Sequence, residues 1–273
     1  MHGYPYLMRN KFAFRMRARE VSRIEAFSDV VFGFALTLIV VSLEVPQTFD
    51  ELMGIMRGFP AFAICFATLV WIWHEHHKFF RRYDMRDEVT IALNAVLLFI
   101  VLFYTYPLKF VFSIVTGAVR GSGDAPKLFL IYGGGFIGIF LMLFLMNGRA
   151  WQKRGEMRLN EFEAHDTLTS MIFYGSYCVI GLASIAVALL VRGENIRWAG
   201  LLYFLLGPVS ALIGYVRGTA RGNLQSRHVA AAQTTANSSE STAAPTVATN
   251  GPNLSDARPA PRLDTAIDSV TKP

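Results

Sequence analysis

The chain has 273 residues, of which 53% are hydrophobic, 13% aromatic and only 17% charged. Soluble domains carry about 25% charged residues, and here the polar residues gather after Gly218, in a stretch rich in Ala, Thr, Ser, Asn and Pro. An ordinary soluble enzyme and a wholly disordered regulator are thereby excluded, and the net charge of +6 must be read from its position along the chain.

Residues 1–22 are basic, with Arg9, Lys11, Arg15, Arg17 and Arg19. The apolar stretch that follows contains Asp29 and Glu44 and ends at Pro46. It lacks the short apolar core and small-residue cleavage site of a signal peptide, so it is expected to be the first membrane helix. Six apolar segments are predicted in all, near 27–45, 58–76, 89–110, 127–147, 168–191 and 198–216. Each is long enough to cross a hydrocarbon core of about 30 Å at about 1.5 Å per residue. The expected fold is an all-α integral membrane protein of six transmembrane helices. The third segment ends wet, at Tyr104, Tyr106, Pro107 and Lys109, and the sixth contains Pro208. In the fourth, Gly133, Gly134, Gly135 and Gly138 lack the Lys-Ser/Thr ending of a phosphate loop. Close helix packing through Gly134 and Gly138 is expected instead. Cys65 and Cys178 both lie inside apolar runs and are read as small buried apolar residues.

Lys and Arg set the orientation. The N-terminal segment, the 77–88 loop, the 148–166 loop and the start of the tail carry 17 of them, against 6 on the other side. Both termini are therefore expected in the cytoplasm. This bias along short loops also favours a membrane partner over nucleic acid. Residues 218–273 have no apolar period and are expected to be a disordered polar tail. The predicted organisation is a basic segment over 1–22, a membrane domain over 23–217 and the tail.

Polar groups at membrane depth are costly and mark function by default. On a helical wheel at 100° per residue, Phe34, Thr37, Leu38 and Val41 share one stripe, with the i, i+3, i+4, i+7 spacing. Asp29 falls about 140° away from Phe34. Two readings of the stripe stay open, a pore lining and simple helix packing. Asp29 needs donors inside the protein, and the candidates are the Trp and His residues of Trp71-Ile-Trp73-His74-Glu75-His76-His77 at the end of helix two, and Asn94 in helix three. The run His74-Glu75-His76-His77 fails the zinc-protease spacing His-Glu-x-x-His, because position 78 is Lys. No metal or cofactor is expected.

Arg23-x-x-x-Phe27-Ser28-Asp29, followed by Thr37 and Glu44-Val45-Pro46, resembles the signature of the transmembrane protein 175 family of lysosomal and bacterial potassium channels. Trp73-x-x-His76-His77, Asn94 and Tyr106-Pro107 extend the resemblance over residues 23–107. The resemblance implies a homotetramer of six-span subunits in a bacterial plasma membrane. It implies a central pore lined by the first helix and permeated by potassium, with constriction rings at Phe34, Leu38 and Val41. It also implies that Arg23, Phe27, Ser28 and Asp29 bond to helices two and three. The chain has no Thr-Val-Gly-Tyr-Gly carbonyl filter, as the resemblance implies. Where the resemblance leads one to expect Ile or Leu at the first constriction, this chain has Phe34. Thr37 hydroxyls would replace part of an ion's hydration shell, and Glu44 and Asp50 would either draw cations to the outer mouth or sit as solvated interfacial charges. Two rival classes are a secondary transporter and an intramembrane metal or haem protein using His76 or His77. The second half shows no copy of the Phe-Ser-Asp motif, as an inverted-repeat transporter would.

Overall fold

A computed structural model describes residues 14–18, 20–41, 46–115, 125–190 and 197–242. Among them six helices are long and apolar enough to cross a membrane. α1 spans Arg23–Val41, α2 Phe49–Tyr83, α3 Glu88–Val115, α4 Ala125–Gln152 and α5 Glu161–Leu190. The sixth crossing is built from a short α6, Arg197–Leu201, a 3-10 turn over Leu202–Leu205, and α7, Leu206–Thr242. No strand occurs among the described residues.

Local chemistry sets the helix ends. Thr48 caps α2, accepting from Glu51 N at 3.2 Å, while Glu51 reaches back to Gln47 N at 2.7 Å. This is a reciprocal cap of the Thr-x-x-Glu kind. Asp84 closes α2 in the left-handed conformation (φ 46°) and donates its N–H to Phe80 O at 2.9 Å. Asp87 opens α3, taking Ile91 N on its carbonyl and the Thr90 hydroxyl on its carboxylate. Asn160 and Glu163 cap α5 mutually, at 2.8 and 3.1 Å. Pro208 has no N–H for the Phe204 carbonyl, and the chain tightens into the 3-10 turn just before α7.

Consecutive helices pack on one another, and α3 also packs along α1. The core between them is continuous, from Phe32, Ala35 and Ile39 of α1 through Leu69, Leu97 and Val101 to Phe140 and Leu143 of α4. Cys65 is fully buried and Cys178 half-buried, and both are free thiols. The glycines of α4 do pack closely, at Gly138 of the expected pair, where a Cβ would stand 3.2 Å from Ile100, and at Gly133 and Gly135 rather than Gly134. A Cβ at Gly135 would stand 2.3 Å from the Tyr104 ring, and one at Gly133 would stand 2.8 Å from Ile185, whereas Gly134 has open space. Positions 133 and 135 point to neighbours because α4 is embraced on two sides, by α3 and α5. A single small-xxx-small face describes only a helix with one partner.

The sequence reading starts a disordered tail at 218, but α7 continues through this stretch to Thr242. Arg217 donates to Thr169 Oγ1 (2.9 Å) and His165 O (3.1 Å), Arg221 pairs with Asp166 (3.1 Å), and His228 meets Glu161 (2.9 Å). These contacts hold the first turns beyond Gly218 against α5, where composition alone gave no apolar face to hold them. The chain divides into units 1–228 and 229–273. Of the second, residues 229–242 are helical, and residues 243–273 lie outside the described residues.

Candidate functional site

α1 has two faces of opposite character. Its start is fixed by Ser22, whose hydroxyl accepts from Glu25 N at 3.2 Å and whose carbonyl accepts from Ala26 N at 2.9 Å. Ser-x-x-Glu is the capping-box spacing, yet the Glu25 side chain turns inward. It is buried, with Oε1 3.0 Å from His77 Nδ1 of α2, at ion-pair distance without the alignment of a hydrogen bond.

One turn further, Ser28 links three helices. Its hydroxyl donates to Ile24 O at 2.8 Å and accepts from Asn94 Nδ2 of α3 at 2.9 Å. The Asn94 carbonyl oxygen then lies 2.7 Å from His76 Nε2 of α2. Because that oxygen can only accept, the His76 proton belongs on Nε2. Ser28, His76 and Asn94 are all buried. Beside them Asp29 Oδ1 accepts from Trp73 Nε1 at 2.8 Å, and Trp73 stacks on His77. His76 is wedged between Phe32 and Phe80, with ring centroids 5.4 and 4.9 Å away. Polar groups shielded by apolar surroundings call for protein partners; the network gives them to Ser28, Asn94, Asp29 and His76 Nε2 across α1, α2 and α3, while the buried His76 Nδ1 has none among the described residues.

The other face carries Phe27, Val30, Phe34, Thr37 and Val41, all exposed on the subunit, with Leu38 half-buried at its edge. Phe34 is 63% exposed and Val41 77%. The steps between these positions alternate three and four residues, a 3.5-residue period that keeps a straight seam facing one axis. The Thr37 hydroxyl donates to Phe34 O at 2.8 Å, so its outward side presents oxygen lone pairs.

Most site residues predicted from sequence fall into one of these two groups. Ser28, Asp29, Trp73, His76 and Asn94 share the network, and His77 meets Glu25 at its border. Phe34, Thr37, Leu38 and Val41 share the other side. Arg23 and Phe27, expected in the anchoring set, stand apart from this network on the subunit. Both are exposed, and Phe27 stands two turns before Phe34 on the same stripe, since seven residues return a helix to nearly the same direction. Glu44 lies outside the described residues, and Asp50 is exposed in the first turn of α2. The three histidines diverge, with His74 exposed, and among the described residues no group of three His, Cys, Asp or Glu side chains could hold a metal ion.

Sequence reasoning missed Glu25, although the Ser-x-x-Glu spacing was there to read. It also missed Glu163, whose fully buried carboxylate takes Arg17 Nη2 at 2.8 Å, Arg15 Nε at 3.3 Å and Arg15 N at 3.0 Å. Those contacts strap the basic segment before α1 onto α5. No local pattern announces a contact across nearly 150 residues of chain.

A family model described as "Endosomal/lysosomal potassium channel TMEM175" matches residues 23–104, which contain the whole network and stripe. A protein of Marivirga tractuosa named a potassium channel is 37% identical over 222 residues, covering 74% of this chain and 90% of that protein. The chain belongs to the TMEM175 family. A potassium channel of Chamaesiphon minutus is 28% identical over 142 residues, covering 49% of this chain and 65% of its own length. Among solved structures, a variant of the potassium channel MtTMEM175, crystallised with a nanobody–MBP fusion, has a TM-score of 0.66 at 34% identity. It covers 76% of this chain and 97% of that one. A TMEM175 homologue from Chamaesiphon minutus shares the fold, with a TM-score of 0.52 at 24% identity over 71% of this chain and 98% of its own. The six long apolar helices and the family membership make this a multi-pass integral membrane protein.

Proposed function

We propose that this TMEM175 member is a potassium channel rather than an enzyme, formed by four copies of the chain around a pore lined by α1. The observation that carries the reading is the division of α1: a hydrogen-bonded polar face held by α2 and α3, and an exposed apolar face of 3.5-residue period that needs partners. The names of its relatives as potassium channels support the same conclusion. Both termini face the cytoplasm on the Lys and Arg bias, and the bacterial origin of the relatives supports a bacterial plasma membrane as the location.

In this arrangement Phe34, Leu38 and Val41 form apolar rings that gate by excluding water, and Thr37 contributes lone pairs between them. An apolar ring binds no ion, so selection rests on how readily an ion gives up or reshapes its hydration shell. Potassium holds water less tightly than sodium and is favoured. Phe34 places four phenyl groups at the first ring and narrows it. Ser28, Asp29, Trp73, His76 and Asn94 act at a distance, by fixing the rotation of α1.

The test is reconstitution of the purified chain into liposomes with a potassium or sodium gradient. Potassium flux above sodium flux from a tetramer-sized particle is expected. Leu38→Asn is expected to raise flux and reduce selectivity, and unchanged flux would remove Leu38 from the pore. Phe34→Ile is expected to raise flux; a tetramer that stays silent in both forms would overturn the channel reading.

A further inference from the structure

α2 and α5 run antiparallel and are bridged by side chains in matching register. Trp71 faces Tyr177 with ring centroids 5.9 Å apart, Tyr174 Oη donates to Glu75 at 2.6 Å, and Tyr83 hydrogen-bonds Thr167 at 2.7 Å. Between these bridges lies a cavity of about 370 Å³. Its walls change character along the helices. Trp71, Phe173 and Tyr177 line one end, and Lys78, Arg82 and Asp166 line the other. Trp71 and Arg82 are eleven residues apart, about 16 Å along the helix axis. The aromatic end falls within the apolar stretch of α2, and the charged end falls beyond it, beside the basic 77–88 loop.

The charges at this end are unequally satisfied. Glu75 is held by Lys78 and Tyr174. Asp166 is held by Arg221 at 3.1 Å. The Arg82 guanidinium stands over the Phe14 ring at 4.9 Å, and its Nε is buried without a hydrogen-bond partner. Among the described residues Arg82 has no carboxylate in ion-pair range. Arg217 and Arg221 line an adjoining depression that shares Asp166 and Thr169 with the cavity. Lys78, Arg82, Arg217 and Arg221 thus outnumber Glu75 and Asp166. A guanidinium is a rigid fork of donors shaped for an oxyanion, and both carboxylates here already have cations.

We propose that this cavity binds the phosphate of an anionic membrane phospholipid, with Arg82 as the forked donor and Lys78 beside it. The aromatic end receives the glycerol and the first methylenes of the acyl chains. The volume lies at the small end of ligand cavities, which run from about 300 to 1,000 Å³, so it holds a headgroup rather than a whole lipid. Basic pockets between transmembrane helices at the cytoplasmic level suit anionic headgroups, and the Lys and Arg bias assigns this end to that level. A soluble phosphate would use the same donors but would leave the aromatic end without an occupant.

The test uses the full chain purified in mild detergent, with phosphatidylglycerol or phosphatidylcholine added and bound lipid read by native mass spectrometry and thermal shift. Phosphatidylglycerol is expected to be retained and to raise the unfolding temperature, and phosphatidylcholine is not. Arg82→Gln is expected to weaken phosphatidylglycerol retention by about fivefold or more. Arg82→Lys, which keeps the charge and disturbs the fold least, is expected to fall between Arg82→Gln and the parent chain. Arg86→Gln, which removes an exposed cation already paired with Asp84 outside the cavity, is expected to change nothing. Equal loss in Arg86→Gln would reduce the effect to diffuse surface charge and overturn the site. Full retention in a folded Arg82→Lys would overturn the forked contact. Inorganic phosphate that competes with the lipid and stabilises the chain equally well would overturn the lipid as the source of the phosphate.

Discussion

The first three helices and the α4–α5 pair are held together by different physics. α1, α2 and α3 are joined by polar groups, buried at Glu25, Ser28, His76 and Asn94 and half-buried at Asp29 and Trp73. α4 and α5 are joined by rings and by glycines pressed against side chains. Phe140 lies 4.9 Å from Tyr177, and Gly181 and Gly133 leave room for Ile137 and Ile185. Lipid tails are as apolar as the helices themselves, so apolar burial does little to drive helix against helix inside a membrane. What remains is hydrogen bonding, which fixes rotation as well as distance, and close packing, which mainly fixes distance. The helix whose rotation must be set, α1, uses the first. The α4–α5 pair uses the second.

The largest effect should come from breaking the polar side at its centre. Asn94→Ala removes the donor to Ser28, which keeps only its bond to Ile24 O, and the partner of His76 Nε2, both buried. A buried polar group left unsatisfied costs about 1–3 kcal/mol, so this variant is expected to lose several kcal/mol and to assemble poorly. Thermal unfolding together with size-exclusion chromatography reads both.

The matching break on the packed side is Gly181→Ala, whose new methyl would stand 2.7 Å from the Ile137 side chain. Overpacking of this kind costs about 1–3 kcal/mol. Its unfolding temperature should fall, while the ion selectivity of whatever assembles stays at the parent value. A selectivity change here would erase the distinction between the two regions.

A subtler change sharpens the comparison. Asp29→Asn keeps an oxygen to accept from Trp73 Nε1 but removes the charge. A charged hydrogen bond exceeds a neutral one by about 1 kcal/mol, so the expected loss is of that size, and Asp29→Ala should lose more. Identical behaviour of the two variants in thermal unfolding would show that the geometry of this bond does not matter.

The smallest effect lies at the α2–α3 turn, outside the membrane helices. Burial raises the Asp87 pKa, but the Thr90 hydroxyl and the Arg149 guanidinium outweigh it and hold the carboxyl below its ordinary 3.8. A carboxyl with a depressed folded pKa stabilises above the unfolded value, and that stability is lost as pH falls through the folded one. The contribution is expected to be no more than about 1 kcal/mol for a partly exposed pair. The unfolding temperatures of the parent and Asp87→Asn should therefore differ at neutral pH and converge below about pH 3.8. A constant gap would contradict the assignment.

Much of this was written in the sequence. Apolar runs of membrane length and the caps Ser22, Thr48 and Asn160 are local signals, and each appears where its chemistry predicts. The wheel separated Asp29 from the Phe34 stripe because a regular helix fixes directions without reference to anything outside it. Other features needed the tertiary structure. Which donor Asp29 meets, that Phe27 is exposed on the same side as Phe34, that Glu163 gathers Arg15 and Arg17, and that Arg82 lines a cavity with no carboxylate of the described residues in ion-pair range all depend on how separate helices are placed. Helical periodicity tells each side chain its direction, and only packing tells it what it finds there.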